Sequence, residues 1–437
     1  MKAKINNTPN GRDSEQKPIS IEALSALVQQ LQKEFGVNEP SEFIEVEEYP
    51  LPESKIMKNV ELLLSYNDYP SDKSRKHLRM NGTKPWVYEL SNCEFDSRKL
   101  LNFIGAVSYL RKHNVNSLIL KLHKVKFRDK LVMSILECIC YYLIEHLKIN
   151  VYFKIKIGKT IITDGIQFSA FAAKNPDQVK NYFVGGTGGN HFRRVICYET
   201  HSTTTLSEVG SDLVTFLLKC GIDEDTVGDF GEALSEVIVN AIEHGKSDCF
   251  IDVDITEPDF IDKKDESKIF SINAVIFNLS DIFFHTKLKK KIDSTESWDM
   301  QNEEQYLKIL EAREFHKKTA DNPEEDYSID DFYTLASFQK GISGDIRKEG
   351  LGGFGLFEII KKISENSKQE LCYMLSEDRV VMFNTEYIKQ GEDGLIGFNK
   401  EHNFMTALPD PVVLPKSDTY FPGVAYNFSF VREKKGF

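Results

Sequence analysis

The stretch GEALSEVIVNAIEHG, residues 231–245, decides how this chain is read. Glu236, Asn240 and His244 recur every four residues, which places them on one face of a helix. Val237, Ile238, Ala241 and Ile242 fall on the opposite side, the side that packs. A carboxylate and a carboxamide one turn apart suit a metal–nucleotide site. The Asn oxygen is a hard ligand for Mg²⁺, and the carboxylate can orient an attacking water. Glu232, one turn before Glu236, competes with it for the role of base. His244 has two readings: it bonds backbone carbonyls at the helix end, or it acts beside a nucleotide. Gly245 ends the helix in a geometry that glycine tolerates.

A second stretch, GLGGFGLFEII at 350–360, sets Gly350, Gly352, Gly353 and Gly355 immediately before a predicted helix. Glycines there let backbone N–H groups approach an anion, and the helix N-terminus adds partial positive charge. No Lys-Ser/Thr pair follows, so this is not a P-loop. Arg347 and Lys348 stand just before it, either in reach of a γ-phosphate or simply solvated.

Together the two boxes resemble the GHKL ATPase superfamily, which includes DNA gyrase B, the heat-shock chaperone, histidine kinases and MutL. E-x-x-x-N-A-x-x-H-G at 236–245 is most similar to the N-box of bacterial anti-sigma-factor kinases. The resemblance covers roughly 202–434 and includes YFPGVAYNFSFV (420–431), which looks like the family's final strand. It implies ATP and Mg²⁺ as ligands, with Asn240 on the metal, Glu236 as base or water-positioner, and the glycines at 350–355 closing over the phosphates. One box departs from the pattern. Where the family has D-x-G-x-G, this chain has FNLSDI (277–282), with Asn278 at the Asp that reads the adenine amine and Ser280 at the first Gly. Asn278 is a neutral and weaker acceptor, which leaves base choice and hydrolysis open.

Upstream, VNSLILKLHKVKFRDKLVMSILECICYYL (115–143) resembles the core of a STAS domain: strand, loop, apolar helix. Signalling STAS proteins carry a phosphorylatable Ser after an Asp at the loop–helix junction. Here Asp129 is followed by Lys130, and Ser134 lies about one turn onward, which argues against an internal kinase–antagonist switch. An unrelated α/β domain of similar periodicity is the alternative. The resulting expectation is α/β and α+β: a STAS-like α/β domain followed by a GHKL (Bergerat) α/β sandwich with a long ATP lid. The divisions are 1–80 (tail, amphipathic helix and linker), 81–200 (STAS-like domain and connector) and 201–437, with the lid near 282–349.

Coarse periodicity supports that order. Trp86–Leu90, Ser117–Leu122 and Val151–Ile157 read as strands alternating with helices over Asp96–His113 and Asp129–Leu147. Residues 160–200 read as irregular, and their GGTGGN (185–190) as a connector rather than a phosphate loop. Downstream, 206–219 and 226–244 read as helices, and 249–255, 268–277, 371–375, 379–383 and 425–431 as strands. Ser20 caps a predicted amphipathic helix with Ile21, Leu24, Leu27, Val28, Leu31 and Phe35, which packs locally or docks a partner or second protomer.

The chain has 437 residues, 55 Lys plus Arg against 67 Asp plus Glu, and a formal charge of −12. That length predicts two or three domains, with a core large enough to need no staples. The acidic balance speaks against nucleic acid, and the basic run HTKLKKK (285–291) reads as a solvated helix face, contact with nucleic acid or acidic lipid being the alternative. Seven scattered cysteines without a C-x-x-C pair fit a reducing compartment, and no apolar run suggests a signal core or a membrane span. The expected protein is therefore cytoplasmic and nucleotide-dependent, with ATP, Mg²⁺ and an unidentified protein as partners and a homodimer allowed. Three functions are open: a regulatory ATPase, an anti-sigma-type serine/threonine kinase, or a non-hydrolysing adaptor. Many bacterial proteins of this build sit in regulatory or anti-phage operons, which the resemblance carries as an expectation and no residue here shows.

Overall fold

The computed structural model describes residues 55–68, 77–81, 84–113, 115–155, 175–184, 189–256, 269–294, 303–322, 324, 326–342 and 369–433. The N-terminal amphipathic helix expected after Ser20, Arg347, Lys348 and the glycines at 350–355 lie outside the described residues.

Helix α1 (Lys55–Tyr66) precedes β1 (Leu78–Asn81), β2 (Lys84–Phe95), α2 (Ser97–Lys112), β3 (Ser117–Phe127), α3 (Lys130–Glu145) and β4 (Asn150–Ile155). Strands β2, β3 and β4 are parallel neighbours, and β1 pairs antiparallel with β2. The helices start where the sequence supplies a cap. Asp96 accepts from the Lys99 N–H at 2.9 Å, and Asp129 from the Val132 N–H at 2.9 Å.

Next come α4 (Pro176–Val184), β5 (His191–Ile196), α5 (Thr203–Lys219), α6 (Glu224–Gly245), β6 (Cys249–Thr256) and β7 (Ile269–Leu279). After β7 the chain forms α7 (Thr286–Ser294), α8 (Glu303–Ala320), α9 (Ile329–Ala336), β8 (Gln369–Met382), β9 (Ile388–Gln390), β10 (Ile396–Phe398) and β11 (Lys416–Glu433). The second sheet runs β5-β6-β7-β11-β8 and is antiparallel throughout. Residues 176–184 and 191–196 thus carry a helix and a strand where an irregular connector was expected. Two arginines inside HFRRVI hide the strand, because Arg193 is a charge turned inward rather than a solvated one.

The two sheets share their helices. Helices α2 and α3 pack on the first sheet and also on β11; α3 reaches β7 as well. Every residue of α3 except Tyr141 and Glu145 is buried. One continuous core holds Leu118, Leu120, Leu136 and Ile139 together with Phe250, Phe277, Leu279 and Leu375 of the second sheet. Each such side chain contributes about 1.5–3 kcal/mol of burial. Helices α5 and α6 cover the opposite face of the second sheet, where Phe216 of α5 meets Phe192 of β5 with ring centroids 5.6 Å apart. The chain is therefore a mixed α/β protein of alternating sheet and helix layers, and all its described residues belong to one compact unit. Among them no helix is long and apolar enough to cross a membrane.

Among its described residues, the polar stretch expected as a lid contains three helices, α7 to α9. Where α8 meets α9 lies the buried His316, whose Nε2–H donates to the Phe404 carbonyl at 2.8 Å while Nδ1 accepts from the Tyr327 hydroxyl at 2.8 Å. The basic run in α7 is spent internally. Lys287 donates to the Glu243 carbonyl, Lys289 pairs with Asp330 at 2.6 Å, and the buried Lys291 donates to the Tyr306 hydroxyl. Only Lys290 keeps the exposed position expected of the whole run.

Candidate functional site

Helix α6 begins at Asp223, which accepts from both the N–H and the hydroxyl of Thr226 at 3.1 and 2.8 Å. Its packed side is the one read from the sequence: Leu234, Val237, Ile238, Ala241 and Ile242 are buried. Glu236 and Asn240 are half-buried one turn apart. Among the described residues the Asn240 side chain has no hydrogen-bond partner. The side chains of Glu232 and His244 lie outside those described. The helix ends at Gly245, and the left-handed residue is Lys246, with φ of 47°. Glycine at 245 therefore serves another purpose than the one expected of it.

That purpose is the approach of Asn278. A Cβ at Gly245 would fall 1.5 Å from Asn278 Nδ2. The buried Asn278 carboxamide donates to the Ala241 carbonyl and accepts from the Val424 N–H at 2.9 Å. Gly423, at φ of +103°, lets β11 pass close to Asn278. Nearby, Ser280 donates to the Gly245 carbonyl at 2.6 Å and accepts from the Ile282 N–H at 3.0 Å. Ser247 donates to the Leu279 carbonyl at 2.8 Å, and Asn59 of α1 donates to both Ser247 and that carbonyl.

Beneath Glu236 lies Tyr426. In register Tyr426 faces Ile276, two residues from Asn278 along β7. Ala241 sits over Asn278, so a step of about 7 Å along the strand matches the rise from Ala241 back to Glu236. Burial, and then the Glu236 charge, push the Tyr426 phenol above its ordinary pKa. Among the described residues the hydroxyl is buried without a hydrogen-bond partner.

The other face of the second sheet holds a charge cluster that the sequence reading missed. Lys130 of α3 lies 3.1 Å from Asp252 and 2.5 Å from Asp254. Arg193 bridges Asp252 at 2.7 Å and Glu137 at 2.8 Å, His191 bonds Asp252 at 2.7 Å, and Ser134 donates to Asp252 at 3.2 Å. Burial opposes ionisation of Asp252, yet Arg193, Lys130 and His191 outweigh it and hold that carboxyl well below the usual range. Burial raises Asp254, which has Lys130 as its close cation. Burial would depress Lys130, but the two aspartates raise it. His191, Asp252 and Asp254 offer metal-type donors within 4.8 Å of one another. The Lys130 ammonium and the Arg193 guanidinium supply the positive charge at these carboxylates, so the cluster is an ionic clamp between α3 and the sheet. Its signal in the sequence is the alternation in FIDVDIT (250–256), which puts Asp252 and Asp254 on one strand face. Lys130 and Glu137, seven apart on a largely apolar helix, are the matching half, with Ser134 between them.

No family model, curated protein or solved structure matches this chain.

Proposed function

We propose that the chain is a GHKL-type, ATP- and Mg²⁺-binding switch, with the nucleotide carried on the exposed side of α6. The observation that supports this is Asn240. A half-buried carboxamide on a helix face, without a side-chain hydrogen-bond partner among the described residues and one turn from a carboxylate, is a hard oxygen ligand that supports this reading. In this reading Asn240 holds Mg²⁺ and Glu236 orients a water. By resemblance Gly350, Gly352, Gly353 and Gly355 close over the phosphates, while Arg347 and Lys348, just before them, and His244, one turn after Asn240, are placed on the phosphate side by their position in the sequence. Bound Mg²⁺ would neutralise charge developing on the phosphate oxygens.

The Asn278 carboxamide, already satisfied within the protein, favours a second reading, the non-hydrolysing adaptor. A serine/threonine kinase acting on a separate protein remains the third. Thermal unfolding with and without Mg-ATP tests the common premise. Binding to the native state adds RT ln(1 + [L]/Kd), about 2.7 kcal/mol at a hundredfold excess. The shift should vanish in Asn240→Ala; no shift in the unaltered chain removes the nucleotide from all three readings. Released phosphate then marks an ATPase, label on a co-incubated protein marks a kinase, and neither marks the adaptor.

A further inference from the structure

The polar side chains near the C-terminal end of α6 fall into two groups. Asn240, on the outer side, has its carboxamide unused among the described residues. At the end of β7, Asn278, Ser280 and Ser247 are used both as donors and as acceptors, and all three are buried. A base edge is read by donors and acceptors that lose their partners when the base leaves. These three side chains keep theirs within the protein.

The residue types at this spot agree with one another. Only a group with a donor and an acceptor can satisfy the Ala241 carbonyl and the Val424 N–H together, and Asn278 is such a group. An ionised Asp would set a carboxylate against the Ala241 carbonyl with no proton to give. Gly245 and Gly423 lack the side chains that would hold Asn278 off.

We propose that this site takes a magnesium polyphosphate without reading a base, Asn278 acting as a bolt that closes the place where a base would be recognised. The ligand class is nucleoside triphosphates irrespective of base. The inference rests on the nucleotide reading of α6 and narrows it.

The test is thermal unfolding of the full chain with equal concentrations of Mg-ATP, Mg-GTP, Mg-CTP and Mg-triphosphate. The expected apparent affinities agree within about threefold, and all four shifts disappear in Asn240→Ala. A preference for ATP over GTP of about tenfold or more, equivalent to about 1.4 kcal/mol, overturns the proposal while leaving the nucleotide site standing. Shifts that persist in Asn240→Ala place the polyphosphate elsewhere and overturn it too. If none of the four ligands stabilises the chain, the nucleotide reading itself fails and takes this inference with it. Asn278→Ala provides a second arm: it should lower the melting temperature and leave the ATP-to-GTP ratio unchanged, whereas a changed ratio makes Asn278 a base reader.

Discussion

The Lys130 ammonium lies 2.5 Å from an Asp254 carboxylate oxygen, and neither side chain is exposed. Removing one partner of such a pair strands the other charge in the interior. Lys130→Met should therefore cost about 3–5 kcal/mol, because Asp252 and Asp254 lose a shared cation. Replacing Asp254 as well, by Leu, should restore part of the loss. Urea unfolding of the single and double variants measures both, and a loss below about 1 kcal/mol in the single variant would remove the clamp from the stability of α3's packing.

Gly245→Ala is an informative small substitution. In an exposed helix interior it stabilises by about 1 kcal/mol. Here the new Cβ collides with Asn278, so a loss of about 1–3 kcal/mol is expected. Asn278→Ala opens the space but leaves the Ala241 carbonyl and the Val424 N–H short of a partner. The double variant should then be more stable than the sum of the two losses predicts, by about 0.5 kcal/mol or more. Strict additivity would mean that the two residues do not meet.

His316 links the α7–α9 region to pH. Burial, the larger influence, lowers its pKa, and its bond to Phe404 only partly opposes that. The folded state therefore favours the neutral ring. Its contribution is complete above the unfolded pKa of about 6.5 and is lost as pH falls from there towards the lower folded value. His316→Asn should flatten that part of the stability–pH curve. An unchanged slope between the two proteins would sink the assignment.

Because α3 serves both sheets, the full chain should melt in one main transition. Expressed alone, residues 201–437 should expose the face that carries Phe250, Phe277 and Leu375, bind a hydrophobic dye and aggregate. Two well-separated calorimetric transitions in the full chain would show instead that the halves are independent.

The parts of the fold that were legible are those where one residue governs its own neighbourhood. The helices read from Asp96 and Asp129 start at those residues, and the apolar spacing of Val237, Ile238, Ala241 and Ile242 marks the packed side of α6. The opaque parts are those where a residue's meaning depends on a distant partner. Arg193 looks solvated until Glu137 and Asp252 are brought to it, and Gly245 looks like a terminator until Asn278 arrives from another strand. Asn278 likewise reads as an acceptor for a ligand until Ala241 and Val424 are seen to use both ends of it.

Strand β11 lies between β7 and β8, although both precede it in the sequence. As the chain leaves the ribosome, β5, β6 and β7 can pair, but β8 has no place in the sheet until β11 follows. The edge of β7 stays unpaired meanwhile, and long-range pairing of this kind is slow and prone to aggregation. The rate at which this protein reaches its native state should thus be set by β11's insertion between two waiting edges, and a chaperone that shields β7 would act in that interval.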